Sequence, residues 1–216
     1  MSIPTRPAGR RERNKDDKQR RLLAAARRLF KRKGVEATTI REIAAAADIG
    51  LGTVYAYVRD KSHLLDLISK DDMARVAARI FAEEPRAADV QTRLRFVFRR
   101  IYAHHGRDLA TARVIFKELG FGGDPEAAER AARTFGLVAA IAVIYADGQA
   151  RGELGAHFTP LEAATTAFAL HYFFLILWMS GAAGLTQATA LAQLDRAIAL
   201  QLIGLQPPST RQGGKR

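Results

Sequence analysis

The sequence predicts an all-α protein of about nine helices, in which a small N-terminal helix-turn-helix domain precedes a larger helical domain. Along most of the 216 residues, apolar side chains recur at intervals of three and four, the spacing of one helix face. No stretch of useful length alternates apolar and polar residues as a half-buried strand does. Helix start signals are also frequent, including Thr-x-x-Glu capping boxes at Thr39 and Thr159. These three observations favour helices throughout.

The first helix is predicted over residues 16–33. Its apolar stripe consists of Leu22, Leu23, Ala26, Leu29 and Phe30. Gly34 follows, and glycine is favoured just past a helix C-terminus because it adopts positive φ without steric cost. The preceding residues 1–14 contain Pro4, Pro7 and several arginines but little to bury, so we expect a disordered basic arm.

Two short helices and a tight turn come next. Thr39 caps a helix that reaches about Ala47, and a turn containing Gly50 follows. The second short helix covers residues 51–57. Neither helix is long enough to bury much by itself. A pair of this length joined by a glycine-containing turn is the helix-turn-helix arrangement, in which the second helix enters the DNA major groove.

Six further helices complete the chain. They are predicted at 61–81, 89–104, 109–119, 125–151, 160–181 and 186–205, between breaks at glycine and proline. The fifth of these contains the uncharged run Ala167–Met179, which is shorter than the roughly 20 residues needed to cross a bilayer. We therefore expect a core or interface helix in a soluble protein without a membrane partner.

The net charge of +12 is concentrated at the N-terminus. Residues 1–33 contain 13 Lys and Arg against three Asp and Glu, whereas residues 34–210 are close to neutral. Such a local field attracts polyanions, either nucleic acid or an anionic membrane. The predicted organisation is a disordered basic arm at 1–14, a helix-turn-helix DNA-binding domain at 15–62, a ligand-binding and dimerisation domain at 63–206 and a flexible tail at 207–216.

Composition and motifs exclude several further classes of function. Cysteine is absent, which excludes disulfides, thiolate metal ligands and a thiol nucleophile, and fits a cytoplasmic location. No apolar segment of a secretory signal follows the arginine-rich start. We find no nucleophile–base pair, paired carboxylates or phosphate-binding glycine loop, so we expect neither an enzyme nor a bound cofactor. His104-His105 predicts no metal site, because adjacent positions on a helix point in different directions.

The second helix of the short pair carries the candidate DNA contacts. Spacing assigns Val54 to the packed face and leaves Leu51, Thr53, Tyr55 and Tyr57 for the outer face. Threonine and tyrosine hydroxyls can bond to phosphates or base edges, and leucine or tyrosine can contact a thymine methyl group. Thr39 and Lys61 lie at helix starts, where a phosphate is favoured.

Residues Ala37 to Leu65 resemble the DNA-binding signature of TetR-family transcriptional regulators. The threonine-opened helix, the GTVYxY core at Gly52–Tyr57 and Lys61 followed by Leu64-Leu65 stand in register. The resemblance implies phosphate contacts by Thr39, Thr53, Tyr57 and Lys61. It also implies an approach to bases by Leu51, Gly52 and Tyr55. The arm, which includes Arg10, Arg11 and Arg13, would reach along an adjacent minor groove.

The turn departs from the family's pattern. The family often has Ala-Gly-Val-Ser where this chain has Ala47-Asp48-Ile49-Gly50, so the serine cap of the recognition helix is missing. Glycine at this cap costs roughly a few tenths of a kcal/mol, so we expect the fold to be kept. Leu51 cannot hydrogen-bond, and base readout is expected to rest on methyl contact, Tyr55 and DNA shape.

The second domain is expected to dimerise and to bind a small molecule, as the resemblance implies. The interface would form from helices near 160–180 and 186–205, because the helix around 167–179 is apolar on every side and must be covered. Its aromatic residues could instead fill the monomer core. Candidate ligand-binding residues are aromatic groups with a few polar tips: Phe96, Tyr102, Phe116, Phe135, Tyr145, His171 and Trp178. A plain core accounts for these seven equally well.

Together these patterns predict a homodimeric, TetR-like transcriptional regulator. We expect a repressor that binds a pseudo-palindromic operator in double-stranded DNA and is released by a small, mostly apolar effector. The alternative is a sequence-tolerant or architectural DNA-binding protein without an inducer. The arginine-rich arm and the non-hydrogen-bonding Leu51 favour this alternative.

Overall fold

The computed structural model describes residues 10–119, 125–181 and 184–207, and these ranges contain nine helices and no strand. The helices are α1 (Arg10–Lys33), α2 (Ile40–Ala47), α3 (Leu51–Tyr55), α4 (Lys61–Glu83), α5 (Val90–Gly106), α6 (Leu109–Leu119), α7 (Ala127–Ala150), α8 (Pro160–Ser180) and α9 (Gln187–Gly204). The predicted all-α class with about nine helices is confirmed.

α1 begins earlier than its sequence pattern indicates. It starts at Arg10, so residues 10–14, which were expected in the disordered arm, are helical. The segment that follows Gly9 contains no glycine or proline and consists mostly of arginine, glutamate and lysine, which are good helix formers. The rest of the predicted arm, 1–9, and the tail from 208 lie outside the described residues. At its other end α1 stops at Gly34, which has a φ of 84°.

Most other helix ends follow their local signals. The hydroxyl of Thr159 accepts the Glu162 amide at 3.2 Å, and the Glu162 carboxylate accepts the Thr159 amide at 2.8 Å. Gly181, with a φ of 69°, ends α8. α7 begins at Ala127, two positions after the proline predicted to open it, and the predicted cap Asp124 lies outside the described residues.

The chain forms two compact units. The first comprises Met1–Met73 and Ala110–Gly122, and the second comprises Ala74–Leu109 and Gly123–Arg216. The division therefore falls within α4 rather than between residues 62 and 63. α6 belongs almost entirely to the first unit, because its Val114 and Ile115 pack against that unit's core. The order of the elements along the sequence does not predict that α6 packs in the first unit.

Each unit has an apolar core of its own. In the first unit α1 to α4 bury a continuous cluster that includes Leu22, Phe30, Ile43, Val54 and Leu64. In the second unit α5, α7, α8 and α9 bury a set that includes Leu94, Ile101, Ile141, Leu175 and Ile198. Gly148 permits a close approach there, because a Cβ at this position would collide with the side chain of Val90.

A buried ion pair fixes the end of α4 within the second unit. Arg93 on α5 is 1% exposed, donates through Nε to the carboxylate of Glu84 and donates through Nη2 to Asp147 at 3.0 Å. Burial lowers the pKa of Arg93, but its hydrogen bonds with the two carboxylates outweigh that effect and the net shift is upward. Glu84 directly follows α4, so this network ties that helix end to α5 and α7.

Candidate nucleic-acid interface

Thr39 is the exposed N-cap of α2. Its hydroxyl accepts the Glu42 amide at 3.2 Å, and the Glu42 carboxylate accepts the amide and the hydroxyl of Thr39 at 2.9 Å each. Lys33 donates to the same carboxylate at 2.5 Å. Hydrogen bonds from Lys33, first, and from Thr39 lower the pKa of Glu42 to about 2. The predicted capping box is confirmed and fixes the start of α2.

The turn between α2 and α3 is a Schellman motif. Asp48 has left-handed geometry, with φ 54° and ψ 53°, and its amide donates to the carbonyl of Ala45 at 3.1 Å. The amide of Ile49 donates to the carbonyl of Ala44 at 3.0 Å. Gly50 is the N-cap of α3 and makes no side-chain cap bond. Aspartate occupies this left-handed position more readily than most residues because its short polar side chain tolerates it.

α3 divides its side chains between the core and the solvent. Val54 is fully buried, and Leu51 is half-buried against the core of the first unit. Gly52 is exposed, Thr53 is half-buried and Tyr55 is 55% exposed. Of the α3 residues predicted to face DNA, Gly52 and Tyr55 are thus exposed, and Leu51 and Thr53 have only part of their surface free.

Tyr57 and Lys61 lie just beyond α3 and are more enclosed. Tyr57 is half-buried and packs against the core of the first unit. The ammonium group of Lys61 donates to three carbonyl oxygens in the loop before α2, those of Val35 at 3.0 Å, Glu36 at 3.3 Å and Thr38 at 3.4 Å. An ammonium group has three donor hydrogens, so Lys61 has protein acceptors for all of them.

The arginines of α1 lie in two different surroundings. Arg10, Arg11 and Arg13 lie in its first turn, where Arg13 is exposed. Arg21 and Arg28, seven residues apart and hence on one face, donate to backbone carbonyls at the end of α2. Sequence reasoning did not identify these two contacts, because an arginine-rich amphipathic helix has the same pattern whether or not its cations have partners.

A three-helix core, a glycine-containing turn and a short helix with exposed polar and aromatic side chains are the features of a helix-turn-helix DNA-binding domain. Residues 22–68 match the model of the family described as bacterial regulatory proteins, tetR family. The resemblance to the TetR family is therefore confirmed, and the chain has the fold of TetR-family transcriptional regulators.

Solved structures support this assignment over most of the chain. A Rhodococcus RHA1 regulatory protein of the tetR family is 27% identical, with a TM-score of 0.59, over 88% of this chain and 97% of that one. Thermus thermophilus FadR, a TetR-family repressor solved with lauroyl-CoA, is 24% identical, with a TM-score of 0.71, over 88% and 98%. FadR from Bacillus halodurans is 18% identical, with a TM-score of 0.67, over 87% and 99%. No curated protein matches the chain.

Two helices of the second unit, α7 and α8, are long and apolar enough to cross a membrane by length and composition alone. The uncharged run at 167–179 is part of α8, which has 21 residues. The core helix of a soluble protein passes the same test, so one or two such helices are weak evidence for a membrane span. These two helices therefore do not indicate a membrane protein.

Three of the predicted ligand-binding residues come together in the second unit. Tyr102 stacks on Trp178, with ring centroids 5.3 Å apart, and meets the His171 ring edge-on at 5.5 Å. Phe98 stacks on the His171 ring, with centroids 4.8 Å apart. The Nδ1 atom of His171 is buried without a hydrogen-bond partner among the described residues. Burial, reinforced by the nearby His105, lowers the pKa of His171 to about 3, so the imidazole is neutral.

The other four predicted ligand-binding residues do not join this cluster. Phe96 is half-buried beside the guanidinium of Arg100, which lies 4.9 Å from its ring centroid. Tyr145 is buried and donates its hydroxyl to Gln201 at 2.8 Å. Phe135 is 70% exposed on α7, and Phe116 belongs to the first unit.

An open groove of about 680 Å³ lies between α5 and α9 of the second unit. Apolar Phe98 and Leu191 line it together with charged Arg95 and Asp195. These two charges form a bidentate ion pair, with N–O distances of 2.8 and 2.7 Å. The seven predicted ligand-binding residues are not among those that line this groove, where charged groups lie beside apolar surface.

Apolar side chains remain exposed on α8 and α9, the two helices predicted to form a dimer. Leu161 and Phe173 of α8 are 55% and 56% exposed, and Leu200 and Ile203 of α9 are 70% and 63% exposed. Soluble proteins seldom leave so many large apolar groups in contact with water on adjoining helices. This surface suits contact with another apolar surface.

Proposed function

We propose that the protein is a homodimeric transcriptional repressor that binds a pseudo-palindromic operator through α3 and releases it when a small, mostly apolar effector binds the second unit. The observation that carries this proposal is the division of α3, where Val54 is fully buried while Gly52 and Tyr55 face solvent. A helix held in this way presents a fixed set of side chains to a major groove.

The proposed DNA contacts fall into two groups. Thr39, Thr53 and Tyr57 contact phosphates, and Lys61, whose ammonium group already has three protein acceptors, adds its positive charge beside a phosphate. Leu51, Gly52 and Tyr55 approach bases, with Arg10, Arg11 and Arg13 reaching an adjacent minor groove. Phosphate contacts supply affinity that does not depend on sequence, whereas base contacts select the site. Tyr55, the most exposed large side chain of α3, is the residue on which discrimination chiefly depends.

Dimerisation follows from the proposed pseudo-palindromic operator, since its two half-sites need two recognition helices related by a two-fold axis. The exposed apolar residues of α8 and α9 support an interface built from these two helices. Four helices, two from each protomer, would then cover the surface that each monomer leaves open.

The effector is proposed to be a small molecule with a substantial apolar part. The aromatic cluster around His171 and the groove between α5 and α9 are two places among the described residues of the second unit that suit such a molecule. Thermus thermophilus FadR was solved with lauroyl-CoA. Acyl chains and their thioesters are therefore the first compounds to test.

Release from DNA requires two states of the dimer, of which the effector prefers the one that cannot bind the operator. A change from mostly bound to mostly free needs roughly 5 kcal/mol of such preference. α4 contributes residues to both units and is the proposed connection between effector and DNA.

Binding to selected duplexes tests the function directly. The wild-type protein would be used to enrich duplexes from a random pool, and fluorescence anisotropy would compare an enriched duplex with its scrambled version. We expect at least about a 10³-fold difference in affinity, and loss of the complex when an effector is added. A ratio near one would instead support the sequence-tolerant DNA-binding protein, which the half-buried Leu51 favours.

A further inference from the structure

The C-terminus of α2 has an unusually complete set of hydrogen-bond donors. The last four carbonyls of a helix have no partner within the helix. Here the turn itself satisfies two of them, since the Asp48 and Ile49 amides donate to Ala45 and Ala44. The carbonyls of Ala46 and Ala47 remain, and both point to donors on another helix.

Arginines of α1 supply those donors. Arg21 donates to the Ala47 carbonyl from Nη2 at 2.7 Å and from Nε at 3.1 Å. Its Nη2 also lies 2.8 Å from the Asp48 carbonyl and 2.9 Å from the Asp48 carboxylate. Arg28 donates to the Ala46 carbonyl at 3.3 Å. The Asp48 side chain is 98% exposed, so the carboxylate contact is a weak surface ion pair and the carbonyl bonds matter more.

The turn and α3 have few stabilising features of their own. Asp48 occupies a left-handed conformation that glycine adopts without steric cost. Gly50 contributes no capping bond to α3, and α3 has only five residues. A helix this short has little orientation of its own, so its direction depends on what holds the turn.

We propose that Arg21 is a positioning residue for DNA recognition, which holds the α2–α3 turn against α1 and thereby sets which bases α3 can reach. Arg28 assists by donating to the neighbouring carbonyl, that of Ala46. Neither residue needs to contact DNA in this role. The inference rests on the proposed function and adds to it a cause of site selection that lies outside α3.

The test compares variants on an enriched duplex and on its scrambled version, over a series of salt concentrations. Arg21→Ala removes all four contacts, and Arg21→Lys keeps the charge and one donor group. Arg20→Ala is the matched control, because Arg20 is the adjacent arginine, its side chain is 76% exposed and its recorded partner is Asp17 on the same helix. Asp48→Asn removes the carboxylate but leaves the backbone carbonyls in place.

We expect Arg21→Ala to reduce the ratio of enriched to scrambled affinity about tenfold. The slope of binding against salt should not change, because no phosphate contact is lost. Arg21→Lys should fall between Arg21→Ala and wild type, while Arg20→Ala and Asp48→Asn should keep the wild-type ratio. Thermal unfolding checks that each variant is folded, and Arg21→Lys decides the matter if Arg21→Ala is not.

Two results would overturn the inference. A salt slope that falls by about one unit, with equal losses on both duplexes, would make Arg21 a phosphate contact. A lower melting temperature with an unchanged affinity ratio would make its role only structural. If the wild-type protein enriches no duplex, the proposed function itself fails, and that outcome is distinct from the other two.

Discussion

The two units of the chain differ in how completely they cover their apolar surface. Among the described residues, eight large apolar side chains are exposed, and Tyr55 on α3 is the one that lies in the first unit. The other seven lie on α7, α8 and α9 of the second unit: Phe135, Val143, Leu161, Phe173, Ile176, Leu200 and Ile203. Among these residues the first unit therefore leaves little apolar surface in water, whereas the second leaves apolar surface on α7, α8 and α9 that suits contact with another apolar surface.

Several polar side chains of the two units also lie at different depths. In the first unit Arg21, Arg28 and Lys61 donate to backbone carbonyls at the ends of short elements. In the second unit Arg93 is buried with Glu84, and the imidazole of His171 is buried without a partner for Nδ1. The buried Arg93 and His171 therefore make the second unit sensitive to substitution and to pH.

The largest expected effect concerns the apolar surface of the second unit. Phe173→Asp combined with Leu200→Asp places carboxylates on the faces of α8 and α9 that are proposed to meet in the dimer. Each change occurs twice per dimer, and burying an unpaired carboxylate is costly, so the dissociation constant should rise by at least about 10³-fold. Sedimentation velocity over a concentration series measures this constant.

Phe135→Asp with Val143→Asp is the matched control on α7. These side chains are 70% and 58% exposed, close to the 56% and 70% of Phe173 and Leu200. The control should stay dimeric. Dissociation of the α7 variant with retention of the α8–α9 variant would move the interface to α7.

Arg93→Ala should cause the next largest effect and tests the buried ion pair. Removing the guanidinium leaves Glu84 buried without its partner, so the free energy of unfolding should fall by about 3–5 kcal/mol in urea titrations. Arg95→Ala, two residues along α5, breaks a partly exposed pair with Asp195 and should cost no more than about 1 kcal/mol. Similar losses for the two variants would show that burial does not distinguish these pairs.

Local signals account for what the sequence predicted well. Nine helices, two Thr-x-x-Glu capping boxes and the glycine after α1 depend on residues within a few positions of each other. Helix ends were less accurate; α3, for example, ends at Tyr55 rather than at 57. Of the predicted DNA-facing residues, Gly52 and Tyr55 are exposed, whereas the ammonium group of Lys61 donates to carbonyls 23 to 26 residues away, which no local signal indicates.

Tertiary contacts explain what the sequence did not predict. Nothing in the spacing of Glu84, Arg93 and Asp147 indicates that they form one network. Of the seven predicted ligand residues, Tyr102, His171 and Trp178 meet, and the seven-residue interval between the last two is a signal that they share a helix face. Phe135 is aromatic and lies at helical spacing too, yet it faces solvent, because composition alone does not show which face of α7 is covered.

A third prediction concerns pH and the buried imidazole of the second unit. The pKa of His171 is lowered to about 3, so the folded protein excludes a proton that the unfolded chain binds below about pH 6.5. Stability should therefore be full above that pH and fall as the pH decreases. His171→Phe should reduce the loss of unfolding free energy between pH 7 and pH 5 by about 2 kcal/mol. If the free energy of unfolding, measured in urea titrations, fell with pH equally in the variant and the wild type, His171 would not be the cause of this pH dependence.

A smaller effect separates recognition from stability within the first unit. Tyr55→Ala should weaken binding to an enriched duplex about tenfold and leave the melting temperature nearly unchanged, because Tyr55 is 55% exposed. Its neighbour Val54 is fully buried, so Val54→Ala should instead lower stability by about 2 kcal/mol. A Tyr55 variant that loses stability but keeps its affinity would place this side chain in the core rather than at the interface.

The smallest expected effect uses a feature that both units share. Thr39 and Thr159 form nearly identical capping boxes, in which each hydroxyl accepts the amide of a glutamate three residues later at 3.2 Å. Thr39→Ala and Thr159→Ala should each reduce the free energy of unfolding by about 1 kcal/mol. Thr39→Ala alone should also weaken DNA binding severalfold, since Thr39 is proposed to contact a phosphate, and should leave the salt slope unchanged because threonine carries no charge. Equal effects of both variants on DNA would mean that the loss at Thr39 comes from fraying of a helix and not from a missing contact.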